Sequence, residues 1–167
     1  HQKLRTWASA RPPEEGADDQ PIVDLVLFPE LSVHPEHLSH LRTLSDKLRA
    51  NIFAGLTFQQ SATVGAPINQ GIWLIRTESP GSGRTIQYAW QGKKHPTKIE
   101  RGMGVKGYRP HITLVEFPIG EKTPTRVAAA ICYDATNLDL LPDLRDRSDM
   151  FLVAALNHDV DTFDNMV

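Results

Sequence analysis

The chain has 167 residues, a length that suits one domain with a real hydrophobic core. Apolar residues make up 40% and charged residues 23%, the balance of a globular protein, and a net charge of -2 with both signs interspersed predicts no basic face for nucleic acid. The one cysteine excludes an internal disulfide framework and a multi-thiolate zinc site and points to a reduced, cytoplasmic setting, while no stretch approaches the ~20 apolar residues of a membrane helix and no signal peptide opens the chain.

Residues 2–10 have the pattern of a short helix, with Leu4 and Trp7 on one face. Arg11 to Pro21 is acidic, polar and bounded by prolines, which reads as a loop. Ile22 to Phe28 is a nearly continuous apolar run and predicts a strand buried on both faces, with Pro29 ending its ladder pairing because it has no N–H to donate. Pro35 to Ala50 predicts a helix, since Leu38, Leu41, Leu44 and Leu48 recur at helical spacing and Pro35 suits a first turn. Further apolar runs at 52–58, 71–76 and 85–90 predict strands, the last two joined by a hairpin loop at 79–83. Two more runs, 111–117 and 126–132, are separated by turn residues. A short helix broken by Pro142 is expected at 137–145, and a buried strand at 150–156. Consecutive hairpins between strand–helix–strand ends imply a mixed sheet of the α/β class with helices packed outside.

Three of these strands end in reactive groups. Leu27-Phe28-Pro29-Glu30 places a carboxylate after the first strand, Gln91-Gly92-Lys93-Lys94-His95-Pro96 places ammonium groups after another, and Ile131-Cys132-Tyr133-Asp134 places the single thiol after a third. Strand ends are where a rigid scaffold hands side chains to loops. A thiol attacks only as thiolate, and a carboxylate whose own pKa has been raised by burial can take its proton. A lysine beside both would stabilise the thiolate and then the oxyanion of a tetrahedral adduct, and the Tyr133 backbone N–H is a natural second donor. Acyl transfer through a thioester follows from such a set. Taken singly, each residue has a plainer reading: a lone cysteine is commonly core packing, Glu30 a helix-entry carboxylate, and the two lysines solvated strand-end charges.

Phe-Pro-Glu, Lys-x-His and Ile-Cys-Tyr-Asp, in that order over residues 22–156, resemble the nitrilase (carbon–nitrogen hydrolase) superfamily. The resemblance implies a four-layer αββα sandwich and a Glu–Lys–Cys triad of Glu30, Lys93 and Cys132, with Lys94 as the rival lysine because alternation puts only one of the two on the inner face. It implies a second glutamate, Glu100 with Glu116 behind it, and substrate contacts from Glu100, Tyr133 and Asn157. It implies cysteine-dependent hydrolysis of a non-peptide amide or nitrile, with a small-molecule substrate and neither cofactor nor metal. An acyltransferase using the same triad, and a catalytically silent interaction module of a larger protein, are the alternatives. Family members have a strand before the first helix and continue past the strand at 150–156, and His1 is not an initiator Met. A partial domain over 1–167 is therefore expected, incomplete at both ends, in a homo-oligomer or a longer bacterial chain. Two segments depart from the family pattern: Ala135-Thr136-Asn137-Leu138 stands where Arg-Phe-Pro-Glu is usual, and Ala155 to Val160 replaces a small-residue or Trp-containing loop.

Other features carry less. His34, His37 and His40 drift around a helix and read as an exposed face rather than a metal site. Trp73 and Trp90 lie in strand patterns and are expected in the core. His158-Asp159 is a candidate pocket contact. The spaced glycines of Gly102 to Gly107 precede no helix start, and read as a flexible loop near the site rather than a phosphate cradle.

Overall fold

The computed structural model describes residues 23–79, 83–117, 124–137 and 140–156. The helix expected at 2–10 and the loop at 11–21 lie outside these residues.

Strand β1 (Leu25–Val33) opens the described chain and pairs in parallel with β2 (Asn51–Leu56). Pro29 interrupts the ladder as expected, but does not end the strand. Pairing runs from Leu25↔Asn51 to Phe28↔Ala54, breaks, and resumes at Val33↔Leu56. Nor is the strand buried on both faces. Leu27 is 39% exposed, because β1 is an edge of a four-stranded sheet ordered β1-β2-β5-β6, with β5 spanning Gln70–Ser79 and β6 spanning Gly83–Gly92.

A single 3₁₀ turn (Pro35–His37) leads into helix α1 (Leu38–Leu48), which ends where Arg49 takes a left-handed conformation, φ 54°. The leucine spacing does what it predicts. Leu41, Leu44 and Leu48 are buried against Val26, Ile52, Leu56, Ile72 and Leu74 on the outer face of the sheet. Each such leucine contributes roughly 1.5–3 kcal/mol by leaving water.

The opposite face of that sheet meets a second, three-stranded sheet, β7 (Leu114–Phe117), β8 (Thr125–Ile131) and β9 (Met150–Ala154). Phe53 and Trp73, with ring centroids 4.8 Å apart, pack there against Val115, Phe117, Val127, Ala129 and Ile131. Alternation along β8 sends Ala128 and Ala130 to the other face, under Leu140 and Leu144 of helix α3 (Leu140–Leu144). Pro142 sits inside this five-residue helix, in the first turn, where its missing N–H costs nothing. Three interlayer cores, one helix–sheet, one sheet–sheet and one sheet–helix, make the αββα sandwich.

Trp73 is fully buried, but Trp90 is not: it is 40% exposed beside Tyr88 at 44%. Both lie on the helix-bearing face of β6, an edge strand, where the core against α1 does not extend to bury them. The pattern of the sequence also hides a small hairpin, β3 (Gln59–Ser61) with β4 (Ala66–Ile68), and helix α2 (Lys98–Gly102).

Candidate active site

Glu30 lies in the irregular stretch of β1, opposite Gly55 of β2. A Cβ on Gly55 would meet the Glu30 Cα at 2.5 Å, so glycine lets the two backbones close beneath the carboxylate. Lys93 leaves the end of β6 with both its backbone groups tied: its N–H donates to Asn69 O and its carbonyl accepts from Tyr108 N–H, each at 2.9 Å. Gly92 is required at this point, because a Cβ there would come within 1.6 Å of the Tyr108 carbonyl oxygen. Glu100 is carried by α2. The helix begins with a capping box in which the Thr97 hydroxyl accepts from Glu100 N–H at 3.2 Å and the Glu100 carboxylate accepts from Thr97 N–H at 2.7 Å.

These backbones bring four polar side chains together under cover. Lys93 Nζ donates to Glu30 Oε1 and to Glu100 Oε2, each at 2.7 Å. Asn69 Nδ2 donates to Glu30 Oε1 and to Glu100 Oε1, again at 2.7 Å. Lys93 and Asn69 are 1% exposed, Glu30 and Glu100 5%. Burial alone pushes the Lys93 ammonium down, but the hydrogen bonds and charges of Glu100 and Glu30 outweigh it and hold the lysine above its ordinary value. Burial likewise pushes Glu100 up, and the bonds from Asn69, Lys93 and Thr97 N–H reverse this, holding its carboxyl below the usual range. Lys94 points elsewhere. Its side chain is exposed, and its backbone N–H donates to Asp134 Oδ2 at 2.8 Å.

Cys132 follows β8 directly and opens a 3₁₀ turn (Cys132–Thr136). Its φ is 45°, in the left-handed region that a residue with a Cβ rarely adopts, so the turn holds the thiol in a strained presentation. The side chain is half-buried. Burial, and after it the charge of the nearby Glu30 carboxylate, raise its pKa to about 11 against the opposing charge of Lys93 and the Leu156 backbone. With its pKa raised to about 11, the resting group is a neutral thiol near a buried carboxylate.

The structure thus brings Glu30, Lys93, Glu100 and Cys132 into one cluster. Glu116 stands apart, on an exposed position of β7 opposite Arg126. The Tyr133 side chain is 47% exposed, on the turn that carries Cys132. Asn157 and His158-Asp159 lie outside the described residues. His34, His37 and His40 are exposed, their rings meeting edge-on at 6.1 and 5.4 Å. The glycine-spaced stretch is anchored rather than loose: Val105 is buried, with its N–H on Glu100 O at 3.0 Å, and Lys106 N–H reaches Pro67 O at 2.9 Å. Among the described residues, no group of three or more His, Cys, Asp or Glu is placed to hold a metal ion.

Three supporting residues went unassigned in the sequence. Asn69 joins the two glutamates but sits alone between β4 and β5, with no spacing signal. Asp134 is 1% exposed and accepts from the backbone N–H groups of Lys94 and His95 at 2.8 Å and from Arg109 Nη1 at 3.0 Å. It fixes the Cys132 turn to the loop that follows Lys93. Gln91 bridges the sheets, donating to Ala129 O and accepting from Thr113 N–H. The Thr97-x-x-Glu100 spacing is a capping-box signature, and would have revealed α2 from sequence.

No protein-family model and no curated protein matches the sequence. Among solved structures the chain is similar to a CN-hydrolase superfamily protein from Xanthomonas campestris with an arsenic adduct in its active site. The TM-score is 0.58 at 15% identity, over 99% of this chain and 63% of that one. It is also similar to a branch 10 member of the nitrilase superfamily from Saccharomyces cerevisiae, with a TM-score of 0.59 at 15% identity, over 96% of this chain and 60% of that one. The chain therefore spans about three fifths of the length of these two structures. Both matches show the nitrilase fold.

Proposed function

We propose that this chain carries the site of a cysteine-dependent carbon–nitrogen hydrolase acting on a small amide or nitrile. The observation that carries the reading is the buried Lys93 ammonium held between Glu30 and Glu100 at 2.7 Å, with the Glu30 charge close enough to raise the Cys132 thiol. A full desolvated charge cluster of this kind is poor packing, and is characteristic of chemistry.

The steps follow from the donors and acceptors. Glu30 takes the proton of the Cys132 thiol as Sγ bonds to the amide carbon, which needs no standing thiolate. The carbonyl oxygen becomes an oxyanion. Lys93 has three N–H donors, two of them directed at the glutamates, and the third can turn to that oxygen along with the Tyr133 backbone N–H. Protonated Glu30 then gives its proton to the leaving nitrogen, the C–N bond breaks, and an acyl thioester remains on Cys132. Water, deprotonated by Glu30, attacks the thioester, and its collapse returns the proton to the thiolate and releases the acid. Glu100 and Asn69 hold Lys93 and Glu30 in place throughout.

The test is rapid-quench mass spectrometry of the protein mixed with a panel of short aliphatic and aromatic amides and nitriles. An acyl adduct on Cys132 is expected, absent from Cys132→Ala. In Glu30→Gln its formation slows by about 10²–10⁴-fold, the usual contribution of a positioned base. A panel that leaves Cys132 unmodified and unconsumed substrate in the wild type contradicts the proposal and favours the silent module. Faster consumption when an amine acceptor is added identifies the transferase variant of the same chemistry.

A further inference from the structure

A cavity of about 320 Å³ opens beside Lys94 and Arg109, and none of Glu30, Lys93, Glu100 and Cys132 lines it. Lys94, Arg109, His111 and Arg147 contribute its polar wall. Ile112, Leu114 and Leu144 form an apolar floor continuous with the core between β8 and α3. Asp143 is the single carboxylate among the lining residues. Three cationic side chains and an imidazole thus line one concavity with one carboxylate, Asp143, while the buried Asp134 behind the wall pairs with Arg109, which leaves an excess of positive charge in a protein whose net charge is -2. Such local concentration of one sign in a cleft with low-dielectric walls attracts oppositely charged small molecules.

The wall is built rather than incidental. Arg109 has a side chain only 6% exposed and is fixed by its 3.0 Å pair with Asp134, which also holds the Lys94 backbone at 2.8 Å. One buried carboxylate thus fixes the Arg109 guanidinium and the backbone that carries Lys94. Across the cavity, Arg147 is exposed, its Nη1 donating to the Asp143 backbone oxygen at 3.4 Å. The guanidinium forks suit planar, multi-oxygen anions, and the volume is that of a small ligand rather than a macromolecular groove.

We infer that this cavity binds a small multivalent anion bearing phosphate or carboxylate groups, at a site separate from Cys132. The inference stands independently of the chemistry at the cysteine. Isothermal titration of the protein with pyrophosphate and with citrate, at fixed ionic strength, tests it. Saturable binding of at least one is expected, and whichever binds tighter distinguishes a phosphate ligand from a polycarboxylate. Arg147→Gln weakens binding about tenfold, as expected for loss of a charge-assisted bond. Asp143→Asn tightens it about threefold by removing the opposing carboxylate, a gain that misfolding cannot mimic. Cys132→Ala leaves it unchanged. Absence of saturable binding for both anions, or equal affinity in the wild type, Arg147→Gln and Asp143→Asn proteins, overturns the inference.

Discussion

Two ion pairs in this molecule have similar chemistry and opposite surroundings. Lys93 meets Glu30 and Glu100 at 2.7 Å with all three side chains at 7% exposure or less. Arg126 meets Asp149 at 3.2 Å with 38% and 46% of their side chains exposed. Water and salt screen the second pair, and its partners give up side-chain freedom to meet, so its net effect on stability is small. The first pair has lost its hydration, and its interior must supply every partner through Asn69, Thr97 N–H and the lysine itself. The difference teaches that a short distance is not what commits a charge to a role. Burial does, because a desolvated charge cluster rarely improves stability over apolar packing and is kept for what it can do.

The comparison is broken most strongly by removing the buried cation. Lys93→Met leaves two carboxylates facing each other without a counter-charge, and should lower the unfolding free energy by about 3–5 kcal/mol in urea titration. A loss no larger than that of Arg126→Met would erase the distinction. Asn69→Ala is the next test. It strips one hydrogen bond from each glutamate, and a cost of about 1–3 kcal/mol is expected by the same titration.

A smaller effect appears in the pH dependence, with the flat region lying between the ordinary values of Glu100, 4.5, and Cys132, 9.0. Glu100 has a depressed pKa in the folded state, so its contribution is present above its ordinary value of 4.5 and is lost as pH falls through the lower folded value. Lys93 has a raised pKa, so its contribution is present below 10.5 and is lost as pH rises through the higher folded value. Cys132 acts in the same alkaline direction, since the folded state holds the proton up to about 11 while an ordinary thiol releases it near 9.0. The midpoint of unfolding should therefore be flat between these limits and fall outside them. Smallest of all, Arg126→Gln should leave the thermal midpoint unchanged at low and high salt.

The same contrast explains what the sequence could and could not reveal. Helix α1 is legible because four leucines at helical spacing need only local geometry to define a buried face. The presentation of Cys132 is legible because an apolar run ends on it. Trp90 misleads, since its strand pattern is sound but its burial depends on where the neighbouring helix stops. Pro29 misleads in the other direction: it breaks the ladder, yet the parallel partner β2 recaptures the strand at Val33. The buried cluster is only partly visible. Lys93 follows a strand end while Glu30 sits in the break of the β1 ladder, and the choice of Lys93 over Lys94 is a matter of which side chain turns inward after β6. Asn69 carries no periodic signal because its role exists only when β1, β5, β6 and α2 converge.

The Glu30 carboxylate and the Cys132 thiol are coupled electrostatically, and the thiol rests protonated. Iodoacetamide labelling of Cys132, followed by mass spectrometry from neutral to strongly alkaline pH, tests this without a substrate. The account predicts that the rate in the wild-type protein inflects near pH 11. In Glu30→Gln the inflection should move down, because the carboxylate that raises the thiol is gone. Inflections at the ordinary thiol value near 9.0 in both proteins would show that Glu30 does not sense Cys132, and would contradict the account.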